Sequence, residues 1–227
     1  MVNIIEPSLK ILTDIDSTKV LKLIESCGRT CYQSYENETE DCASAKKMIA
    51  MLIKSGHESV LEHFSISIKM KVDVGVYKDL TRHRVGVAYS IESTRFCNYN
   101  KDKFSSELTF INPCNINYGT DEYTIWEQCM RSIETYYNMM AKFNCKTDQL
   151  RMILPHSTAA EVSMTANLRA WRHIFKMRCH KAAHPSVRQI MLATLKQFHQ
   201  KLPVIFDDIY ETYKDDMNLA ERVIYND

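Results

Sequence analysis

The stretch HFSISIKMKV, residues 63 to 72, alternates apolar and polar side chains without a break. Phe64, Ile66, Ile68, Met70 and Val72 share one face, and His63, Ser65, Ser67, Lys69 and Lys71 share the other, which is the two-residue period of a strand. One of those faces is core, so the chain must build a sheet and cover it. Helical patterns supply the cover. Thr18 to Cys31 carries Leu21, Ile24 and Gly28 at helical spacing, and Cys42 to Lys54 does the same with Met48, Ile49 and Leu52, closed by Gly56. Further helices are expected over Val74 to Arg84, Glu122 to Phe143, Gln149 to Leu154, from Asn167 onward, and from Pro185 to Lys201. Extended segments are expected at Val2 to Leu12, at ELTFI (107 to 111) and around Val162 to Thr165, with an exposed acidic loop at 35 to 41. The class is therefore α+β, helix-rich, with a mixed sheet and flanking helices. The absence of repeats and of Pro- or Gly-rich linkers makes residues 1 to 227 a single domain.

Charge is balanced overall, with 29 Lys plus Arg against 28 Asp plus Glu, which argues against bulk attraction to nucleic acid or to an anionic membrane. No apolar run approaches a membrane span, and the acidic residues and proline of MVNIIEPSLKILTDIDSTK break any signal-peptide core, so a cytoplasmic protein is expected. The eight cysteines are scattered and read as reduced, mostly buried thiols.

Locally the charge is segregated. Between Glu161 and Asp207 there is no acidic residue, while eight cations occur, and the chain from Asp207 onward is strongly acidic in return. At about 100° per residue, Arg169, Arg172, His173, Lys176 and His180 share one broad helical side, with Asn167, Ile174 and Arg178 elsewhere. A second cluster lies in TRHRVGVAYSIESTRF, residues 81 to 96, which holds three arginines, a histidine and five hydroxyl side chains. Arginine matches phosphate and carboxylate edges with paired donors. Neither GxGxxG nor GxxxxGK occurs, so a nucleotide or dinucleotide would have to be gripped by side chains, at a non-Rossmann site. Metal is not expected: GHESVLEH lacks the second histidine of HExxH, and His180 and His184 have no third ligand nearby.

Three blocks carry a family likeness. HESVLEH, RHR followed by STRF, and NLRAWRHIFKMR with LRMILP upstream resemble the flavin-dependent thymidylate synthases in order and spacing, over roughly residues 56 to 190. One departure stands out: eight residues separate Arg84 from Ser93 where the family signature has seven. The resemblance implies that His57, Ser59, Glu62, Arg82, His83, Asn167, Arg169 and His173 contact FAD, although the family commonly has asparagine where His173 stands. It implies that Arg84, Ser93, Thr94, Arg95, Arg151 and Arg178 hold deoxyuridylate (dUMP), with Arg178 polarising the pyrimidine. It further implies NADPH and 5,10-methylenetetrahydrofolate as co-substrates, dTMP as product, no cysteine nucleophile, and a homotetramer with sites between subunits.

Pro113 and Cys114 resemble the Pro-Cys pair of the cysteine-dependent synthases, but nothing around them continues that match, and a packing thiol is the expectation. Two other classes make distinct predictions. A nucleic-acid-binding module would use the basic helix and bind in a salt-dependent way with no yellow cofactor, and a metal or thiol hydrolase would lose activity with chelator or on changing one cysteine.

Overall fold

The computed structural model describes residues 2–31, 33–93 and 108–226. Two short strands, β1 (Asn3–Ile5) and β2 (Ser8–Ile11), stand where one was expected. Pro7 lies between them and has no N–H for a ladder, so the chain changes sheets there: β1 pairs in parallel with β5 (Thr109–Ile111), while β2 pairs antiparallel with β3 (Ser65–Asp73).

Helix α1 (Ser17–Thr30) begins at Asp16, whose side chain accepts from the Lys19 backbone N–H, and α2 (Ala43–Lys54) packs against it. Between them Arg29 is buried, paired with Glu25 and donating to the carbonyls of Ser34 and Asn37, which fastens the acidic segment. A 3-10 turn, Glu58–His63, leads into β3. The alternation in β3 holds at every position: Ile66, Ile68, Met70 and Val72 are buried and their neighbours are not.

Helix α3 (Val74–Leu80) is shorter than expected, and Arg82, His83 and Arg84 lie in the turn beyond its end rather than on it. Strand β4 (Val87–Ile91) follows, a segment to which the sequence patterns gave no element. Helix α4 (Asp121–Lys142) and the short α5 (Thr147–Leu150), continued by a 3-10 turn at Arg151–Ile153, cover a second apolar cluster that includes Val2, Phe110, Met130 and Leu150.

The short extended piece expected near Val162 is a nine-residue strand, β6 (Ala159–Asn167), lying between β3 and β4. The main sheet has the order β4-β6-β3-β2-β7, antiparallel except where β7 (Ile224–Tyr225) runs parallel to β2. The sheet packs on α6 (Leu168–Arg178), α7 (Pro185–Lys201) and α8 (Pro203–Tyr213) through a core containing Trp171, Phe175, Phe198 and Phe206, whose rings meet at centroid distances of 5.1 to 5.7 Å. Of the described cysteines only Cys42 and Cys179 are buried, so the expectation of mostly buried thiols is corrected. No helix among the described residues is long and apolar enough to cross a membrane.

Candidate active site

β6 runs directly into α6, and the junction is Asn167. Its side chain caps α6 by accepting from the Ala170 backbone N–H at 2.8 Å. Opposite Asn167 lies Gly86, with φ +68°, where an added Cβ would sit 3.0 Å from the Asn167 amide nitrogen. A left-handed glycine therefore lets the RHR turn approach the start of α6.

Between these two segments opens a cleft of about 600 Å³. The turn contributes Arg82, His83, Arg84, Val85 and Gly86, α6 contributes Arg169, Ala170, His173 and Ile174, and Glu62 closes one side. Arg169 donates to Glu62 at 2.6 Å, both being about half exposed. Asn167, Arg169 and His173 line this one cleft together, so the separation inferred from helical angles does not hold: Asn167 precedes the helix, and the helical wheel does not apply to it.

A second cleft of about 510 Å³ is lined in part by Gly75, Lys78 and Asp79 of α3. Ile111, Pro113, Ile116 and Trp126 give it apolar surface; Lys78 and Arg82 supply cations, Asp79 a carboxylate, and His156 and His184 also line it. Arg82 lines both clefts. Asp73 also faces the second cleft, and burial raises its pKa above the ordinary carboxyl value despite an N-cap bond from Val76.

Arg178, near the end of α6, donates from Nε to His83 Nε2 at 2.8 Å and from Nη2 to the Asp79 carbonyl at 2.7 Å. His83 must be neutral to accept that bond, with its proton on Nδ1. Burial and the adjacent Arg178 and His173 lower its pKa to about 4. The His83 and His173 rings meet edge-on at 5.8 Å.

Other expected site residues fall elsewhere. His57 and Ser59 are exposed on the segment that carries Glu62 and do not line either cleft. Ser93 follows β4; Thr94 and Arg95 lie outside the described residues. Arg151 is exposed and lines neither cleft, though its charge reaches Tyr77 of α3. The additional residue between Arg84 and Ser93 is not a bulge within β4, because Val87 to Ile91 pair one for one with Ala166 to Val162. Sequence reading missed Val85, Gly86, Val87, Ala170 and Ile174 as lining residues; the lone glycine after RHR was the available signal.

On the basic face of α6 one cation, Arg172, is consumed inside the protein, while Arg169, His173, Lys176 and His180 stay exposed. Arg172 is 1% exposed and binds Glu58 and Asp208, and Lys176 lies 3.9 Å from Glu58. Arg188 and Lys181 pair in the same way with Asp216.

A layered sheet with helices on it, and two clefts that share Arg82, define the class as a mixed α+β fold with adjoining cavities. The chain belongs to the thymidylate synthase complementing protein family, whose profile matches residues 15–204. It is 29% identical over 222 residues to the flavin-dependent thymidylate synthase of Mycobacterium tuberculosis, covering 91% of this chain and 85% of that one. Identity to the enzyme of the same name from Corynebacterium aurimucosum is 26% over 200 residues, 84% and 80% of the two chains. In fold it is similar to the UMP/dUMP methylase PolB from Streptomyces cacaoi bound with 5-Br dUMP (TM-score 0.76, 16% identity, 93% of this chain and 98% of that one). It is also similar to thymidylate synthase X from Helicobacter pylori with FAD and dUMP (TM-score 0.69, 18% identity, 89% and 98%).

Proposed function

We propose that this chain is a single-domain flavin-dependent thymidylate synthase, an FAD-dependent methyltransferase that converts dUMP to dTMP. The carbon comes from 5,10-methylenetetrahydrofolate and the reducing equivalents from NADPH. The observation that carries this reading is Arg82, which lines both clefts, so that a ligand in one lies beside a ligand in the other.

The donor set of the first cleft fits a flavin dinucleotide. Arg82 and Arg169 offer guanidinium groups to a pyrophosphate, Arg84, expected on dUMP, lines this same cleft in place of the second, and Val85, Val87, Ala170 and Ile174 offer apolar surface to a ring. Grip by side chains in place of a glycine-rich backbone makes the site non-Rossmann. FAD held there would supply the redox chemistry that passes hydride from NADPH to the one-carbon unit. Glu62, paired with Arg169, fixes that arginine at the rim, while Asn167 and Gly86 set the spacing between the two walls.

The second cleft suits a pyrimidine monophosphate, with Trp126 and Ile111 against the planar part and Lys78 and Arg82 as cations. Arg178 lines neither cleft itself but is bonded to His83, which lines the first, and to the carbonyl of Asp79, which lines the second. A cation held there stabilises negative charge developing on a pyrimidine carbonyl, which activates the ring without a thiolate. Ser93, Thr94, Arg95 and Arg151 complete the dUMP set, and the resemblance to the family carries the reading of sites finished by neighbouring copies in a homotetramer.

The test is product formation. Purified protein given FAD, NADPH, methylenetetrahydrofolate and dUMP should form dTMP, and omission of FAD or of dUMP should abolish it. Formation of no dTMP by protein that is folded and saturated with both ligands would refute the assignment.

A further inference from the structure

Tyr89 stands in the middle of β4, opposite Met164 of β6, with its ring half-buried against the core. Its hydroxyl reaches the Leu80 carbonyl at 2.6 Å and the His83 carbonyl at 3.1 Å. Leu80 ends α3, and its carbonyl also accepts from the His83 backbone N–H at 3.0 Å. Helix-terminal carbonyls lack intrahelical partners, and the single phenolic proton, directed chiefly at Leu80 and shared with His83, ties the end of α3 to the turn. The same turn presents His83 Nε2 to Arg178 Nε, and α3 presents the Asp79 carbonyl to Arg178 Nη2.

We propose that Tyr89 is a positioning residue that sets the direction of the Arg178 guanidinium through the backbone of the RHR turn and the ring of His83. This rests on the role given above to Arg178. Tyr89 lines neither cleft, so it acts through the turn and not on a ligand. Nor does it serve as an acid or base: burial pushes its phenol up to about 12, against the opposing charge of Arg178, and it stays a donor. Without the hydroxyl, the donor that ties the end of α3 to the His83 carbonyl is lost while the Asp79 acceptor remains. Arg178 would then pivot about Asp79.

The test is Tyr89→Phe, which keeps the ring and its packing. Two readouts are used. The first is the titration of the His83 ring by NMR in ligand-free protein. That ring faces Arg178 and His173 and shares its cleft with Arg82, Arg84, Arg169 and Glu62. Its midpoint should move upward, toward the ordinary histidine value, as the ring leaves Arg178. The second is steady-state turnover, where kcat should fall roughly tenfold or more, as expected when a catalytic group is misplaced. Should Tyr89→Phe fail to fold, replacement of Tyr89 by 4-aminophenylalanine, whose amine donates from the place of the hydroxyl, must retain the wild-type midpoint. An unmoved His83 midpoint with unchanged kcat in folded Tyr89→Phe, or a shifted midpoint in the folded 4-aminophenylalanine protein, overturns the proposal. The titration needs no substrate, so its failure is distinct from a wild-type protein that makes no dTMP.

Discussion

Arg172 on α6 grips Asp208 on α8 with two parallel bonds, Nη1 and Nη2 each donating to a different carboxylate oxygen at 2.8 Å. Its Nε donates to Glu58 at 3.1 Å, and Nη1 also reaches the Ile205 carbonyl. Burial opposes ionisation of Asp208, yet the bonds and charge of Arg172 hold its carboxyl below the ordinary range. One guanidinium thus ties α8 to the segment that carries Glu62.

Removing that cation leaves Glu58 with little water and only the distant ammonium of Lys176. Breaking a buried pair costs about 3–5 kcal/mol, and the half-exposed Asp208 places Arg172→Met near the lower end, about 3 kcal/mol. Urea denaturation should show this as a lower midpoint with an unchanged slope.

The bond from Arg178 to His83 gives the protein a pH signature. His83 has its pKa lowered from 6.5 to about 4, so between those values the unfolded chain binds a proton that the folded chain refuses. The contribution is complete above pH 6.5 and is lost as pH falls through about 4. Melting temperature measured across that range should decline for wild type and decline less for His83→Gln, whose amide stays neutral.

Much of this was legible in the sequence, and the limits have physical causes. β3 was plain because only one of its faces is buried. β6 was obscured by its small residues and by a polar register shared with Ser67 and Thr165, whose hydroxyls bond each other at 2.8 Å. Arg82, His83, Asn167, Arg169 and His173 were all singled out through the family resemblance and do meet in one cleft. That Arg172 serves packing while Arg169 faces the cleft was not legible, because both lie on the same broad side of α6 and only the position of Glu58 and Asp208 separates them.

Gly86→Ala should damage both stability and the first cleft. The left-handed backbone at φ +68° costs a side-chain-bearing residue roughly 1–2 kcal/mol. The new Cβ also meets the Asn167 amide at 3.0 Å, which must shift and weaken its cap on α6. A lower melting temperature together with weaker FAD binding is expected; Gly119→Ala, whose glycine also has positive φ but an open surrounding, should lower stability alone.

Cys114 should be dispensable for chemistry. Burial raises its thiol pKa, partly opposed by the contact with Ser186, so little thiolate exists at neutral pH. Cys114→Ser is expected to retain dUMP-dependent NADPH oxidation, measured by the loss of NADPH absorbance.

The most direct test is a visible-absorption titration of the purified protein with FAD, carried out for wild type and for Arg169→Ala. A flavin spectrum perturbed by the protein, saturable at about one FAD per chain and bleached by NADPH, is the predicted result, with clearly weaker binding once Arg169 is gone. Wild-type protein that is folded and leaves the FAD spectrum unchanged at every concentration would contradict it.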